Sequence, residues 1–314
     1  MKYKEKSDAR IVYMGTPSIS AKVLEALVLD GWNVVGVISN EDKATGRKQL
    51  LEPTPTKAVA LRYGIPVFQP HRIRLDHGFL APLEPDVIVC FAYGQIVPQE
   101  VLDAPKRGCI NLHGSLLPKL RGAAPIQRAI MTGEKETGVT LMQMVSAMDA
   151  GVMYDKEIVA IDPKDNYTTL SEKISEAGQT LILKDLLPYL NAELPGIPQD
   201  EKEVTFAAKI SPEDEHIPLS QSVDGFVRYC HGISETPGGY LLLDGKKLKI
   251  FDCEKANGDM GSPLGCIVKD RKELLVQGQD GQIRLLDVQL EGKKRMDAKS
   301  FLNGERGLLG KVLA

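Results

Sequence analysis

The 314-residue sequence predicts an α/β fold with a mainly parallel sheet, followed by a small β-barrel or sandwich. Three observations predict it. Over the first 190 residues, short apolar runs alternate with helical patterns, as parallel strands covered by helices require. The stretch NAELPGIPQDEKE (191–203) then breaks all periodicity with proline and charge, and reads as a linker reaching residue 208. Beyond it, apolar and polar residues alternate in short runs separated by Asp-Gly turns, the pattern of strands buried on one face. The length suffices for two domains with separate cores, expected at 1–190 and 209–314.

Taken in order, residues 11–14 form the first buried strand. Gly15 turns the chain, and Thr16 with Pro17 opens a helix as N-cap and first helical residue. Ile19, Val23 and Leu27 recur at every fourth position and give that helix one apolar face. Strands follow at 34–38, 65–68, 87–91 and 109–113, with a helix over 53–63. Two more, at 139–144 and 152–159, flank the loop SAMDAG. A helix begins at Thr169, whose capping box closes with Glu172, and turns Leu170, Ile174, Ala177 and Leu181 inward. In the C-terminal part residues 223–230 form a helix, and Asp244-Gly245, KDRK (269–272) and Asp280-Gly281 mark hairpins. Leu248 and Ile250, like Ile283 and Leu285, alternate with polar neighbours, so each strand buries one face.

Composition excludes several classes. A net charge of −3 is not that of a uniformly basic nucleic-acid binder. No apolar run approaches the ~18 residues of a membrane span, so no membrane partner is expected. The start, MKYKEKSDARIVYMG, lacks the apolar stretch of a signal peptide. Cys90, Cys109, Cys230, Cys253 and Cys266 form no CxxC pair, which favours reduced thiols in a cytoplasmic protein over disulfides or zinc. No sustained heptad demands a partner copy, and a monomer is expected.

The stretch INLHGSLLPKLRGAAPI (110–126) carries the chemistry. Polar side chains buried in a strand without partners cost about 1–3 kcal/mol each, so Asn111 and His113 need a reason. Residues two apart share a face, which groups Cys109, Asn111 and His113. His113 precedes Gly114 at the carboxyl end of the strand, where open α/β sheets keep their ligand crevice. Cys109, deeper on the same face, reads as packing. Pro118 stiffens the following loop, and Gly122 and Pro125 lead into a helix over 126–131 that would aim its free N–H groups back at the crevice. Arg121 is either a solvated loop charge or part of the crevice mouth. Asp149 joins the pair if its loop closes over the same end of the sheet.

No GxSxG nucleophile is present, and no second histidine stands at metal-ligand spacing. GTPSIS lacks the further glycines of a dinucleotide fingerprint and reads as a tight turn beside the ligand. An amide and an imidazolium can both donate to an oxygen that turns negative when an amine attacks a carbonyl. A carboxylate can hold the imidazole and assist removal of the amine's proton. The set therefore suits direct acyl transfer between two bound partners.

At these residues the chain resembles the folate-dependent formyltransferases. IVYMGTP, NVVGVIS, GIPVFQP, FAYGQIVP, GCINLHGSLLP, ETGVTLMQM, MDAG and EGKKRMDAKSFLNG match that family in order and spacing along nearly the whole chain. The resemblance implies a Rossmann-like formyltransferase domain followed by an OB-like β-barrel. It implies 10-formyltetrahydrofolate as donor, no metal, and initiator methionyl-tRNA as acceptor, giving N-formylmethionyl-tRNA for translation initiation. It makes Asn111, His113 and Asp149 the catalytic residues. It gives folate contacts to Ser115, Leu116, Leu117 and Pro118, and to Phe91, Tyr93, Gly94 and Ile96. The loop DKATGRKQL would reach the acceptor end of the tRNA through Arg47 and Lys48.

The basic tips GKK (245–247), KDRK and GKKR (292–295) would be ordinary solvated hairpins in most proteins. On one side of an OB-like barrel, Lys246, Lys247, Lys293 and Lys294 would track RNA phosphates. The sequence departs from the family pattern at 40–49, 216–219 and 233–239, all away from the catalytic three. Two alternatives remain: formyl transfer to a small amine, such as an amino sugar nucleotide or glycinamide ribonucleotide, and an inactive RNA-binding relative. The barrel and the 42–50 loop oppose the first, and the intact Asn/His/Asp set opposes the second.

Overall fold

The computed structural model describes residues 2–45, 50–258 and 260–314. Up to residue 190 the elements are β1 (Arg10–Gly15), α1 (Ser18–Leu29), β2 (Asn33–Ile38), β3 (Lys43–Thr45), β4 (Leu50–Glu52), α2 (Pro55–Arg62) and β5 (Val67–Phe68). These are followed by α3 (Leu80–Leu83), β6 (Val87–Phe91), α4 (Gln99–Leu102), β7 (Cys109–His113), α5 (Pro125–Thr132), β8 (Glu136–Gln143), β9 (Met153–Ala160) and α6 (Tyr167–Leu190). The main sheet has the order β5-β2-β1-β6-β7-β8-β9. It is parallel from β5 to β7 and antiparallel where β8 and β9 are added.

At two helix starts the capping differs from the sequence reading, and the helix expected over 53–63 begins at Pro55. Helix α1 begins at Ser18 with Pro17 as its cap, because the Thr16 hydroxyl is turned to the Tyr93 carbonyl instead (3.2 Å). The box before α6 begins at Asn166: its side chain accepts the Thr169 N–H, and the Thr169 hydroxyl accepts the Asn166 N–H, both at 3.0 Å. Thr169 is thus the third residue of the first turn rather than its cap.

The pleat sorts the core into two faces. Val12, Met14, Ile38, Ile88, Cys90 and Cys109 meet in one apolar cluster on the face that also bears Asn111, which pairs with Cys90. Phe91 and Leu112 lie on the other face, against Gly178 of α6, where an added Cβ would sit 3.7 Å from each. Full burial of such side chains stabilises by about 1.5–3 kcal/mol apiece.

Two compact units result: residues 1–125, 136–160 and 171–207 form one, and 126–135, 161–170 and 208–314 the other. The stretch expected as a linker thus belongs to the first unit through residue 207. The amide and carbonyl of Ile197 both bond Met153 on the edge strand β9, and Ala207 N and O bond the backbone at Arg121 and Ala124. An exposed strand edge and an irregular loop satisfy their backbone groups in this way.

In the second unit, α7 (Val223–Gly232) is capped by Ser222, whose hydroxyl accepts the Gly225 N–H. Strands β10 (Gly239–Leu243), β11 (Lys246–Ala256), β12 (Ile267–Asp270), β13 (Leu274–Gln277), β14 (Gln282–Leu290) and β15 (Met296–Asp297) precede α8 (Ala298–Gly304). They form an antiparallel sheet of order β10-β11-β14-β13-β12, with β15 beside β14. Asp244 and Gly245 take φ of 50° and 76°, so Leu243 pairs directly with Lys246 across a two-residue turn. The tail closes the sheet. Ala314 exchanges backbone bonds with Leu242 on β10, while Lys311 and Leu313 bond Ile267 and Gly265 beside β12. Both edges are thereby covered, as in an OB-like barrel. Among the described residues, no helix is long and apolar enough to cross a membrane.

Candidate active site

The end of β7 sets the first two groups. Asn111 is half-buried, and among the described residues its side-chain amide has no hydrogen-bond partner. His113 is 5% exposed. Its Nε2 lies 2.9 Å from the carbonyl of Leu120. A carbonyl only accepts, so Nε2 carries a proton and the ring presents Nδ1 to the other side. There, Asp149 Oδ1 stands 3.6 Å from Nδ1, inside ion-pair range but longer than a formed hydrogen bond.

Asp149 reaches this place by a route that the sequence did not reveal. Because β8 runs antiparallel to β7, the loop after it leaves at the amino end of β7, where the Met144 N–H bonds the Cys109 carbonyl (2.8 Å). The loop then folds back along the strand to bring residue 149 to the carboxyl end. Gly151 permits the close pass, since a Cβ there would lie 1.9 Å from the Gln143 carbonyl oxygen. Asp149 itself takes φ of 50°. Its Oδ2 accepts the Gly122 N–H at 2.8 Å.

The loop between β7 and α5 is fixed from β8. Thr140, paired with His113, donates to the Ser115 carbonyl (2.7 Å) and accepts the Leu117 N–H (3.1 Å). Lys156 donates to the Leu117 carbonyl at 2.5 Å, and burial holds its ammonium below the ordinary value. Ser115 is buried and donates to the Lys119 carbonyl. Leu117 packs with Met142 and Met153, Leu116 lies against Gly138, and Pro118 is half-exposed.

The loop after β6 borders the same end. The Tyr93 carbonyl accepts from Thr16 and from the Asn40 amide (2.5 Å), which ties together the ends of β1, β2 and β6. The Tyr93 hydroxyl is buried without a partner among the described residues, and burial pushes its pKa up. Gly94 takes φ of 91°, and Ile96 is 84% exposed. Phe91 departs from the expectation: its ring lies on the α6 face, because it is one residue from Cys90, the partner of Asn111. Burial also pushes the Cys90 thiol up to about 12, with Asp149 adding in the same direction, so it stays neutral. Among the described residues, no group of three or more His, Cys, Asp or Glu could hold a metal ion.

Arg47 and Lys48 lie outside the described residues. In the second unit the tips bearing the other lysines are adjacent: Glu291 N–H donates to the Lys247 carbonyl, and the Glu291 carboxylate accepts the Lys247 N–H (3.1 Å). Lys247 Nζ sits 4.1 Å from the centre of the Tyr240 ring, and Lys293 is paired with Glu305. Lys246 and Lys294 have no side-chain partner among the described residues. In KDRK, Lys269 is paired with Glu273.

Sequence reading missed Thr140, Leu120, Gly122 and Gln199 as supports. Only Thr140 left a signal, as a polar residue between Val139 and Leu141 in a buried part of β8.

Comparison with known proteins adds a family. Residues 9–186 match the family described as formyl transferase, and residues 209–306 match formyl transferase, C-terminal domain. The methionyl-tRNA formyltransferase of Bacillus pumilus is 42% identical over 310 residues, covering 97% of this chain and 98% of that one. That of Bacillus subtilis is 41% identical over 308 residues, covering 97% of each. Among solved structures, HypX from Aquifex aeolicus in complex with tetrahydrofolic acid matches with a TM-score of 0.69 at 17% identity. The match covers 97% of this chain but 49% of HypX. An N-formyltransferase from Helicobacter canadensis, in complex with folinic acid and dTDP-3-aminofucose, gives 0.67 at 19% identity, covering 88% of this chain and 98% of that one. At these identities the structural likeness is one of fold.

Proposed function

The chain belongs to the formyl transferase family, and from that premise we propose that it moves a formyl group from 10-formyltetrahydrofolate to the amino group of methionine on initiator tRNA. The observation that carries the chemistry is the meeting of Asn111, His113 and Asp149 at one end of the sheet, with an amide that has no partner among the described residues. The acceptor is supported by likeness to methionyl-tRNA formyltransferases along 97% of the chain, second unit included, and by adjacent basic tips that a small amine would not need.

The residues fit such a donor. The Asn111 amide and the Tyr93 hydroxyl, both without a partner among the described residues, are groups that a folate rich in N–H and C=O would satisfy. Residues 93–96 and 115–118 would hold it, and the formyl carbon is the electrophile it supplies. The methionine amine attacks uncharged. Asn111 donates to the formyl oxygen as charge develops there, which stabilises the transition state more than the ground state. His113 is locked by the Leu120 carbonyl and offers Nδ1. Nδ1 and the Asp149 carboxylate together hold the proton that the attacking nitrogen sheds and the leaving nitrogen requires.

Single-turnover formylation of radiolabelled methionyl-tRNA tests this reading. The parent chain forms the N-formyl product, and Asn111→Ala loses about 10²–10³ in rate, the scale of one oxyanion donor. A folded Asn111→Ala variant with parental turnover would overturn the assignment.

A further inference from the structure

Behind Asp149 runs a line of polar contacts to which the reaction above gives no task. Arg121 is 5% exposed, and cations are rarely so buried unless paired. Its Nε donates to Gln199 Oε1 at 2.9 Å and its Nη2 to Glu201 Oε1 at 2.8 Å. Gln199 Nε2 in turn donates to two carbonyls, those of Asp149 (2.7 Å) and Gly151 (2.8 Å). The residue after Arg121, Gly122, supplies the N–H that holds Asp149 Oδ2. Gly122 takes φ of 124°, and a Cβ there would meet the Ala207 carbonyl oxygen at 2.6 Å. The Asp149 carboxylate is thus gripped from its side chain and its backbone by two stretches of chain that bond each other.

We propose that Gln199, oriented by Arg121, is the positioning residue that sets the Asp149 carboxylate against His113, which makes residues 197–207 a built wall of the active site. The proposal rests on the reading that Asp149 serves formyl transfer. The two carbonyls held by Gln199 bracket the Asp149–Gly151 turn, so they fix the backbone angles that aim Oδ1. At φ of 50° Asp149 does not hold that conformation by preference. The end group must supply two N–H donors to the carbonyls and one acceptor to the Arg121 guanidinium. Only a side-chain amide does so. Glutamate would turn an anion on two carbonyls, and leucine would leave three groups unpaired.

The test uses the full chain with methionyl-tRNA and 10-formyltetrahydrofolate. Gln199→Leu is expected to lose about 10- to 100-fold in kcat, the cost of misplacing a catalytic group by around an ångström, with KM for the tRNA nearly unchanged. Its kcat-versus-pH profile should change shape towards that of Asp149→Asn, which a merely structural prop would not cause. Gln199→Asn keeps the amide but falls one methylene short. It preserves the fold if leucine does not, and should lose about tenfold in kcat with the same change in profile. Parental kcat and pH profile in either folded variant overturn the proposal. If Asp149→Asn is itself fully active, the reading of Asp149 falls and the proposal with it. If Asp149→Asn is inactive while both Gln199 variants match the parent, only the proposal falls.

Discussion

The end of β7 and the hairpin tips of the second unit present polar groups in opposite ways. His113 is buried and held by a backbone carbonyl, and Asp149 is held from both its side chain and its backbone. Lys246, Lys247, Lys293 and Lys294 are all exposed, and two of them have no partner among the described residues. A buried group is fixed in position, and its effect is felt over tenths of an ångström. An exposed lysine acts through a screened field to which its neighbours contribute interchangeably. The first region should therefore respond to single substitutions in kcat, whereas the second should respond to the number of charges in affinity and salt dependence.

The largest effect is expected at the buried end. Asp149→Asn keeps the volume and the bond from Gly122 but removes the charge beside Nδ1, and should lower single-turnover formylation by about 10²–10⁴ with tRNA binding intact. A loss confined to KM would place Asp149 on the side of binding and blur the contrast.

A smaller effect is expected at the tips. Lys246→Ala combined with Lys294→Ala should weaken methionyl-tRNA binding about tenfold at low salt and flatten the slope of log K against log salt by about 1 to 2. The formylation rate at saturating tRNA should not change. Filter binding over a salt series reads the first two, and a kcat lowered as far as in Asp149→Asn would break the separation between the regions.

The smallest concerns a buried carboxyl that belongs to neither. Asp185 is 3% exposed, and its Oδ2 has no hydrogen-bond partner among the described residues. Burial pushes its pKa from the ordinary 3.8 up to about 6; Asp155 and Glu157 act in the same direction and Lys184 opposes them. Its folded value lies above its unfolded one, so the native state holds the proton more tightly. Stability then falls as pH rises from about 4 to 6, and the cost is complete above that window. Asp185→Asn should raise Tm modestly at pH 8 and leave it unchanged at pH 4, without altering formylation. An equal Tm difference at both pH values would show that the carboxyl does not titrate this way, and an activity change would tie it to the β7 end.

Much of the site was legible because it is local. A period of two put Asn111 and His113 on one face, Gly114 ended the strand, and Asp244-Gly245 announced its turn. Asp149 was legible only through its likeness to a family pattern, since a turn aspartate before glycine has many uses. Gln199 gave no signal at all. It sits in charged, proline-rich text without period, and its value comes from two carbonyls about 50 residues earlier in the chain. Arg121 could be read as a surface charge until its burial was seen. The misplacement of Phe91 has the same root, because its face depends on how β6 pairs with β7.

The strands of the main sheet, the longer helices, the hairpin turns and the pairing of an amide with an imidazole follow from the amino-acid sequence, since each rests on backbone geometry over a few residues; the β3–β4 pair and the short helices α3, α4 and α8 do not. What needed the tertiary structure is that β8 runs antiparallel, that its loop therefore doubles back to deliver Asp149, and that residues 197–207 bond back to β9, to Arg121 and to the Asp149 carbonyl. Those outcomes depend on which distant backbone groups and apolar faces satisfy one another, a condition set by the whole packed chain and by no short stretch of it.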